Sequence, residues 1–180
     1  VNYNVAKKFV TWEKDGKVYE VNSRYKNFVM ISVIISKHKK YISSRKAMEL
    51  TIGSSPLYPF WVNESNQDFN NMKIALVEGK IREIGELSEK SAKLMHATML
   101  ASSPPISYFK EESFMVWNLV LKLRNQGVYA YATMDAGPNV KILSTTNDYQ
   151  FVLNELEFNN FNDYYISNIG KGASIVNEII

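Results

Sequence analysis

The sequence predicts an α+β domain of the ferredoxin-like, split βαβ kind, with extra helices after the first central strand. Three observations carry that expectation. Residues 28–35 form a β-branched run that is apolar on both faces, as in a central strand covered on two sides. Apolar stripes at helical spacing then fill the next ninety or so residues. Two short apolar runs, 128–134 and 140–143, flank an Asp-Ala-Gly-Pro-Asn turn and are followed by one more helix and strand.

The elements follow in order. Residues 8–12 and 17–21 flank Lys14-Asp15-Gly16 and read as a hairpin, because Asp-Gly supplies the positive φ of a tight turn. Ser43-Ser44 cap a helix that runs on through Arg45, Met48 and Leu50. Ser54-Ser55-Pro56 opens a short helix carrying Leu57, Tyr58, Phe60 and Trp61. Phe69, Met72 and Leu76 mark a second helical stripe, and Ile81, Ile84, Leu87, Ser91, Leu94 and Met95 a third, with Gly79 between them. Ser102-Ser103-Pro104-Pro105 ends this region, since neither proline continues a helix. Met115, Val116, Leu119, Val120 and Leu123 give an amphipathic helix stopping at Gly127. A helix over 148–156 and a strand over 164–167 complete the pattern, and Ile169-Gly170-Lys171-Gly172 reads as a turn.

With 180 residues, the chain is long enough for one domain with a substantial core. A net charge of +3 is too mild to argue for nucleic acid. Lys37, His38, Lys39 and Lys40 form the one basic cluster and read as a solvated strand end. The absence of cysteine excludes a disulfide framework, thiolate catalysis and cysteine-based zinc sites. The longest apolar run is too short to span a bilayer, and no basic segment followed by an apolar core opens the chain. Val1 is not a methionine, so the chain is expected to begin inside a longer polypeptide, in the cytoplasm.

Three places carry chemistry. Asp135 stands at the end of an apolar run, just before Gly137-Pro138, so a strand would deliver the acid to a fixed point. Gly137 is expected to provide positive φ and close approach, and Asn139 to offer its amide to a carboxylate or hydroxyl. Ser43-Ser44-Arg45 read on spacing alone as a serine cap and a solvated arginine; the same residues at a helix N-terminus would also hold a phosphate. His96, between Met95 and Ala97, reads as a packed residue, and Pro104 to Tyr108 as an apolar wall in which Tyr108 packs or donates. No metal-ligand spacing is present, so a metal held by this chain alone is not expected.

The octapeptide Thr133-Met134-Asp135-Ala136-Gly137-Pro138-Asn139-Val140 resembles the catalytic-aspartate motif of mevalonate diphosphate decarboxylases, in the GHMP superfamily of small-molecule kinases. Further segments are similar to that family in order and spacing: residues 8–13, Ile42 to Thr51 with Ser54-Ser55, Tyr58 and Trp61, Met95-His96-Ala97-Thr98, and Pro104 to Tyr108. The resemblance implies a GHMP-type C-terminal domain over 27–180, preceded by the end of another lobe and its hairpin over 1–26. It implies ATP-dependent decarboxylation of mevalonate 5-diphosphate to isopentenyl diphosphate. Asp135 would be the catalytic carboxylate, Ser44 and Arg45 with Met48 the substrate-binding residues, and Ser43, His96, Tyr108 and Asn139 supporting residues. ATP and Mg2+ would be bound mainly by an amino-terminal lobe, because the family's glycine/serine-rich nucleotide loop, its lysine near the acid and its second substrate arginine are not in this sequence. By resemblance the protein is a homodimer with no nucleic-acid or membrane partner. Two other readings remain open: a mevalonate 5-phosphate decarboxylase or mevalonate kinase-like paralogue, and a non-catalytic interaction or dimerisation remnant.

Overall fold

A computed structural model of the chain describes residues 9–13 and 15–170. Strands β1 (Phe9–Trp12) and β2 (Val18–Val21) pair antiparallel, Phe9 opposite Val21 and Trp12 opposite Val18. Gly16 takes φ 79° in their turn, as the Asp-Gly pair predicts, and the Asp15 carboxylate accepts a hydrogen bond from the Lys17 N–H at 3.0 Å. Lys8 and Lys14 fall outside the described residues.

The second sheet has four strands: β3 (Phe28–Val33), β4 (Ala130–Met134), β5 (Val140–Thr145) and β6 (Tyr164–Asn168). Their spatial order is β4-β5-β3-β6 and every pairing is antiparallel, which is the split βαβ topology the sequence predicts. The crossover from β3 to β4 holds α1 (Ser44–Ser54), α2 (Tyr58–Glu78), α3 (Ile81–Leu100) and α4 (Glu111–Asn125); α5 (Tyr149–Phe158) connects β5 to β6. One expectation is corrected here. The short helix at Tyr58 and the stripe at Phe69 are a single helix of 21 residues, because no glycine or proline interrupts 60–78 and Pro59 sits in the first turn, where its missing N–H costs nothing. It ends at Gly79, as read.

The sheet buries both faces. On one, Val29, Ile31 and Val33 of β3 pack with Val116 and Val120 of α4 and with Val152 and Leu156 of α5. On the other, Phe28 and Leu143 pack with Ala75 and Leu76 of α2, Ile84 of α3 and Val21 of the hairpin. This double coverage explains why residues 28–35 carry no polar alternation.

β4 is an edge strand, and α3 guards it. Glu89 is 4% exposed, and its carboxylate accepts from the Ala132 N–H at 3.3 Å, closing off part of the strand edge. Burial pushes the Glu89 carboxyl up, but Lys93 at 2.5 Å and Arg124 at 3.0 Å outweigh it and hold the group below the ordinary carboxylate range. Arg124 also stacks 4.5 Å over the Tyr131 ring. That ring presses on α3 where there is no side chain: a Cβ on Gly85 would lie 2.3 Å from Tyr131 Cδ2. Gly85→Ala must therefore displace either the ring or the helix. Chemical denaturation should show a loss of about 1–3 kcal/mol, despite the better helix propensity of alanine.

Candidate functional site

Asp135 is the first residue after β4, and its side chain is 80% exposed at the rim of a cavity of about 240 Å³. Three connections fix the turn that carries it. The Gly137 N–H donates to the Asp135 carbonyl at 2.7 Å. Ser113, in the first turn of α4, donates its hydroxyl to the Pro138 carbonyl at 2.7 Å. Asn139 Oδ1 accepts from the Ile35 and Ser36 N–H groups at 2.8 and 2.9 Å, stitching the turn to the end of β3. Two expectations are revised. Gly137 does not take a positive φ; a Cβ there would make ordinary contact with the Lys40 side chain at 3.7 Å. Asn139 uses its oxygen to hold the main chain, and only its amide nitrogen remains for a ligand.

The helix start of α1 lies against the same turn. Ser43 is its N-cap and accepts from the Lys46 N–H at 3.2 Å. Lys40 joins the two segments, its Nζ donating to Ser44 Oγ at 3.0 Å and to the Ala136 carbonyl at 2.5 Å. The basic cluster is therefore not simply a solvated strand end, since its last lysine is built into the site. His38 lines the cavity as well, with Lys141, which pairs with the Asp135 carboxylate. Arg45 is exposed and has no hydrogen bond or ion pair among the described residues. Met48 is half-buried one turn after Ser44. None of Ser43, Ser44, Arg45 and Met48 lines the cavity itself; Ser44 adjoins it through Lys40.

Sequence reasoning missed Lys40 and Lys141. For Lys141 the alternation along β5 was a usable signal, because it places residue 141 on the face opposite Val140 and Ile142, next to the acid's turn. No local pattern distinguishes Lys40 from Lys39.

A small core backs this rim. Ala47, Met99, Ile106 and Tyr108 cluster with Met95 and Ala136, so α1, α3 and the Asp135 turn share one apolar contact set. Tyr108 both packs and donates, its hydroxyl reaching the Ile42 carbonyl at 3.1 Å just before the Ser43 cap. His96 is 5% exposed and meets the ring of Phe109 edge-on at 4.8 Å and that of Tyr108 at 6.5 Å. Burial holds the imidazole below its ordinary value of 6.5, with the Asp135 backbone and carboxylate offsetting this in part. Because the folded value is depressed, the stability this adds is complete above pH 6.5 and is lost as pH falls below it towards the folded value. Urea midpoints at about pH 7.5 and about pH 5.5 should show this decline, and His96→Phe should flatten it.

Among the described residues no group of three or more His, Asp or Glu side chains is placed to hold a metal ion, and no helix is long and apolar enough to cross a membrane. Lys171 and Gly172 of the glycine loop lie outside the described residues.

Residues 29–174 match the model of the mevalonate 5-diphosphate decarboxylase C-terminal domain. A diphosphomevalonate decarboxylase from Candida albicans is 31% identical over 144 residues, covering 74% of this chain and 40% of the relative. The structure of mevalonate pyrophosphate decarboxylase from Streptococcus pyogenes superposes with a TM-score of 0.81 at 35% identity, over 93% of this chain and 52% of that one. A structure of MDDEF in complex with MVAPP, AMPPCP and magnesium superposes with a TM-score of 0.80 at 27% identity, over 86% of this chain and 48% of that one. The chain thus spans about half the length of these solved relatives and less of the curated one.

Proposed function

Because the chain belongs to the mevalonate 5-diphosphate decarboxylase family, matching its carboxy-terminal domain, we propose that it supplies the acid and the diphosphate-binding helix start of an ATP-dependent decarboxylase. The supporting observation is Lys40, which ties Ser44 and the Asp135 turn into one cleft. Residues 27–180 form the working domain in this reading, and 1–26 belong to the edge of an amino-terminal lobe. The separate two-stranded hairpin and the start of the family match at residue 29 support that division.

The chemistry follows from charge and position. The α1 start, with the Ser44 hydroxyl and the Arg45 guanidinium, grips the diphosphate, and Met48 packs beside it. That grip leaves the substrate's 3-hydroxyl at Asp135, which orients the oxygen and takes its proton as it attacks the γ-phosphoryl group of ATP. The tertiary C–O bond then breaks and phosphate departs. The C–C bond to the carboxylate breaks with it, and its electron pair forms the new double bond while carbon dioxide leaves. Lys141 and Lys40 place positive charge beside these anions. We assign ATP and Mg2+ mainly to the amino-terminal lobe. The MVAPP, AMPPCP and magnesium together in the related complex support that pairing of ligands, AMPPCP being an ATP analogue. A cytoplasmic homodimer is the accompanying reading of location and assembly.

In the complete enzyme, with its ATP-binding lobe, Asp135→Asn should lower kcat by about 10²–10⁴-fold with the melting temperature retained. Unchanged turnover would instead support a non-catalytic remnant. Arg45→Ala should act mainly on KM for the diphosphate substrate, by about tenfold. Assays with mevalonate, its 5-phosphate and its 5-diphosphate separate the decarboxylase from its paralogues. The 180-residue chain alone should bind ATP poorly and release no carbon dioxide from the diphosphate.

A further inference from the structure

A carboxylate has two oxygens, and a base that takes a proton from one fixed point needs one of them aimed there. Asp135 has no such restraint from its own position: its side chain is 80% exposed, and it stands one residue past the end of β4. Two lysines line the cavity beside it. Lys40 is committed elsewhere, to Ser44 Oγ and the Ala136 carbonyl. Lys141 reaches the acid itself, and its Nζ pairs with Asp135 Oδ2. Among the described residues no hydrogen bond or ion pair falls on Asp135 Oδ1.

The fold makes Lys141 a fixed anchor. β5 is paired on both sides, and Lys141 lies opposite Thr133 of β4 and opposite Ser32 of β3. Its neighbours Val140 and Ile142 are fully buried on the other face, so alternation holds Lys141 on the face it shares with Thr133 and Ser32. Only 37% of its side chain is exposed. Neither Thr133 nor Ser32 carries charge, and the one ionic partner of the ammonium among the described residues is the Asp135 carboxylate. Exposed ion pairs add little to stability, and this one joins residues that the turn between β4 and β5 already brings together. Its consequence is geometric: it takes one oxygen and leaves the other.

We infer that Lys141 is a positioning residue for Asp135: by holding Oδ2 it presents Oδ1, and Oδ1 alone, to the substrate's 3-hydroxyl. The inference rests on the decarboxylase reading above and gives the two oxygens of its base separate tasks. When the hydroxyl attacks phosphorus, its O–H bond breaks, the proton passes to Oδ1, and the electron pair stays on the attacking oxygen. Oδ2 keeps its lysine throughout. Without Lys141 the exposed carboxylate turns among its rotamers, and rate is lost as the reacting atoms drift apart. Lys141 thus does more than add positive charge to the cleft, and the two effects are separable. Charge acts on the substrate whatever stands at position 135, whereas positioning matters only while that residue can take a proton.

The test is a double-mutant cycle in the complete enzyme, with its ATP-binding lobe. Lys141→Met keeps most of the side chain and removes the charge, while Lys141→Arg keeps a charged donor. Lys141→Met should lower kcat about tenfold, with KM for mevalonate 5-diphosphate within about twofold of the parent and the melting temperature unchanged. Lys141→Arg should recover most of the loss. With Asp135→Asn already in place, Lys141→Met should cost less than about twofold. Wild-type kcat in Lys141→Met overturns the inference. So does an equal loss in both backgrounds, which makes the lysine a charge acting on substrate, and so does a loss matched by a fall in melting temperature with no rescue by arginine. If Asp135→Asn alone keeps turnover, the decarboxylase reading fails and takes Lys141 with it; if it abolishes turnover while Lys141→Met is fully active, only the Lys141 assignment fails. Where the double variant turns over too slowly to measure, crystals of Lys141→Met with mevalonate 5-diphosphate decide. Asp135 should leave the rotamer it holds in the parent complex, and an unmoved carboxylate overturns the assignment. Should the methionine variant not fold, Lys141→Ala replaces it under the same outcomes.

Discussion

The site depends on one small apolar contact set. Ala47 comes from one stretch of the chain and Met99, Ile106 and Tyr108 from another, and Ala136 of the acid's turn closes on them. None of these side chains has reactive chemistry. Their packing nonetheless sets the separation between a helix start suited to anions and a carboxylate at a strand end. Close-packed interiors transmit small displacements, so a gap in this cluster is felt at the rim. The polar ties act at the same places: Tyr108 on the residue before the Ser43 cap, and Lys40 between Ser44 and the Ala136 carbonyl.

The sheet supplies the rigidity behind that cluster. β3 is paired on both sides and covered on both faces, so the residues Asn139 grips at its end have little freedom. The edge strand that delivers the acid is held by a different device. Glu89 satisfies one of its main-chain donors and is itself neutralised by Lys93 and Arg124. A carboxylate so deeply buried would be costly if either cation were lost. The rim is thus built on one fully paired strand and one strand held by side chains.

Much of the fold was legible because its signals are local. The doubly apolar run at 28–35, the serine cap at Ser43, the Asp-Gly hairpin and the Asp-Ala-Gly-Pro-Asn turn each follow from the chemistry of adjacent residues. The merging of two expected helices into α2 was not legible, because the polar run Asn63 to Asp68 separates the two apolar groups without containing a residue that breaks a helix. At the site, the acid and the cap stood out, since residue type and flanking pattern agree. Lys40 did not, because only the tertiary fold distinguishes it from the lysine before it. Asn139 was noticed for the right side chain and the wrong partner: an asparagine after a turn can face ligand or backbone, and the choice was settled by where β3 ends.

The strand order also dictates how such a chain comes together. β4 and β5 meet across a few residues, Met134 opposite Val140, and can close early at small entropic cost. β3 is made long before either of its neighbours, and must wait for β5 and then β6, with Ile31 opposite Ile142 and Ile166. During synthesis β3 therefore has no partner until Thr145 has been made, and its second edge stays open until Asn168. Contacts of such range slow folding and leave an open strand edge available to other chains. A chain halted before residue 164 thus presents one edge of β3 with nothing paired to it.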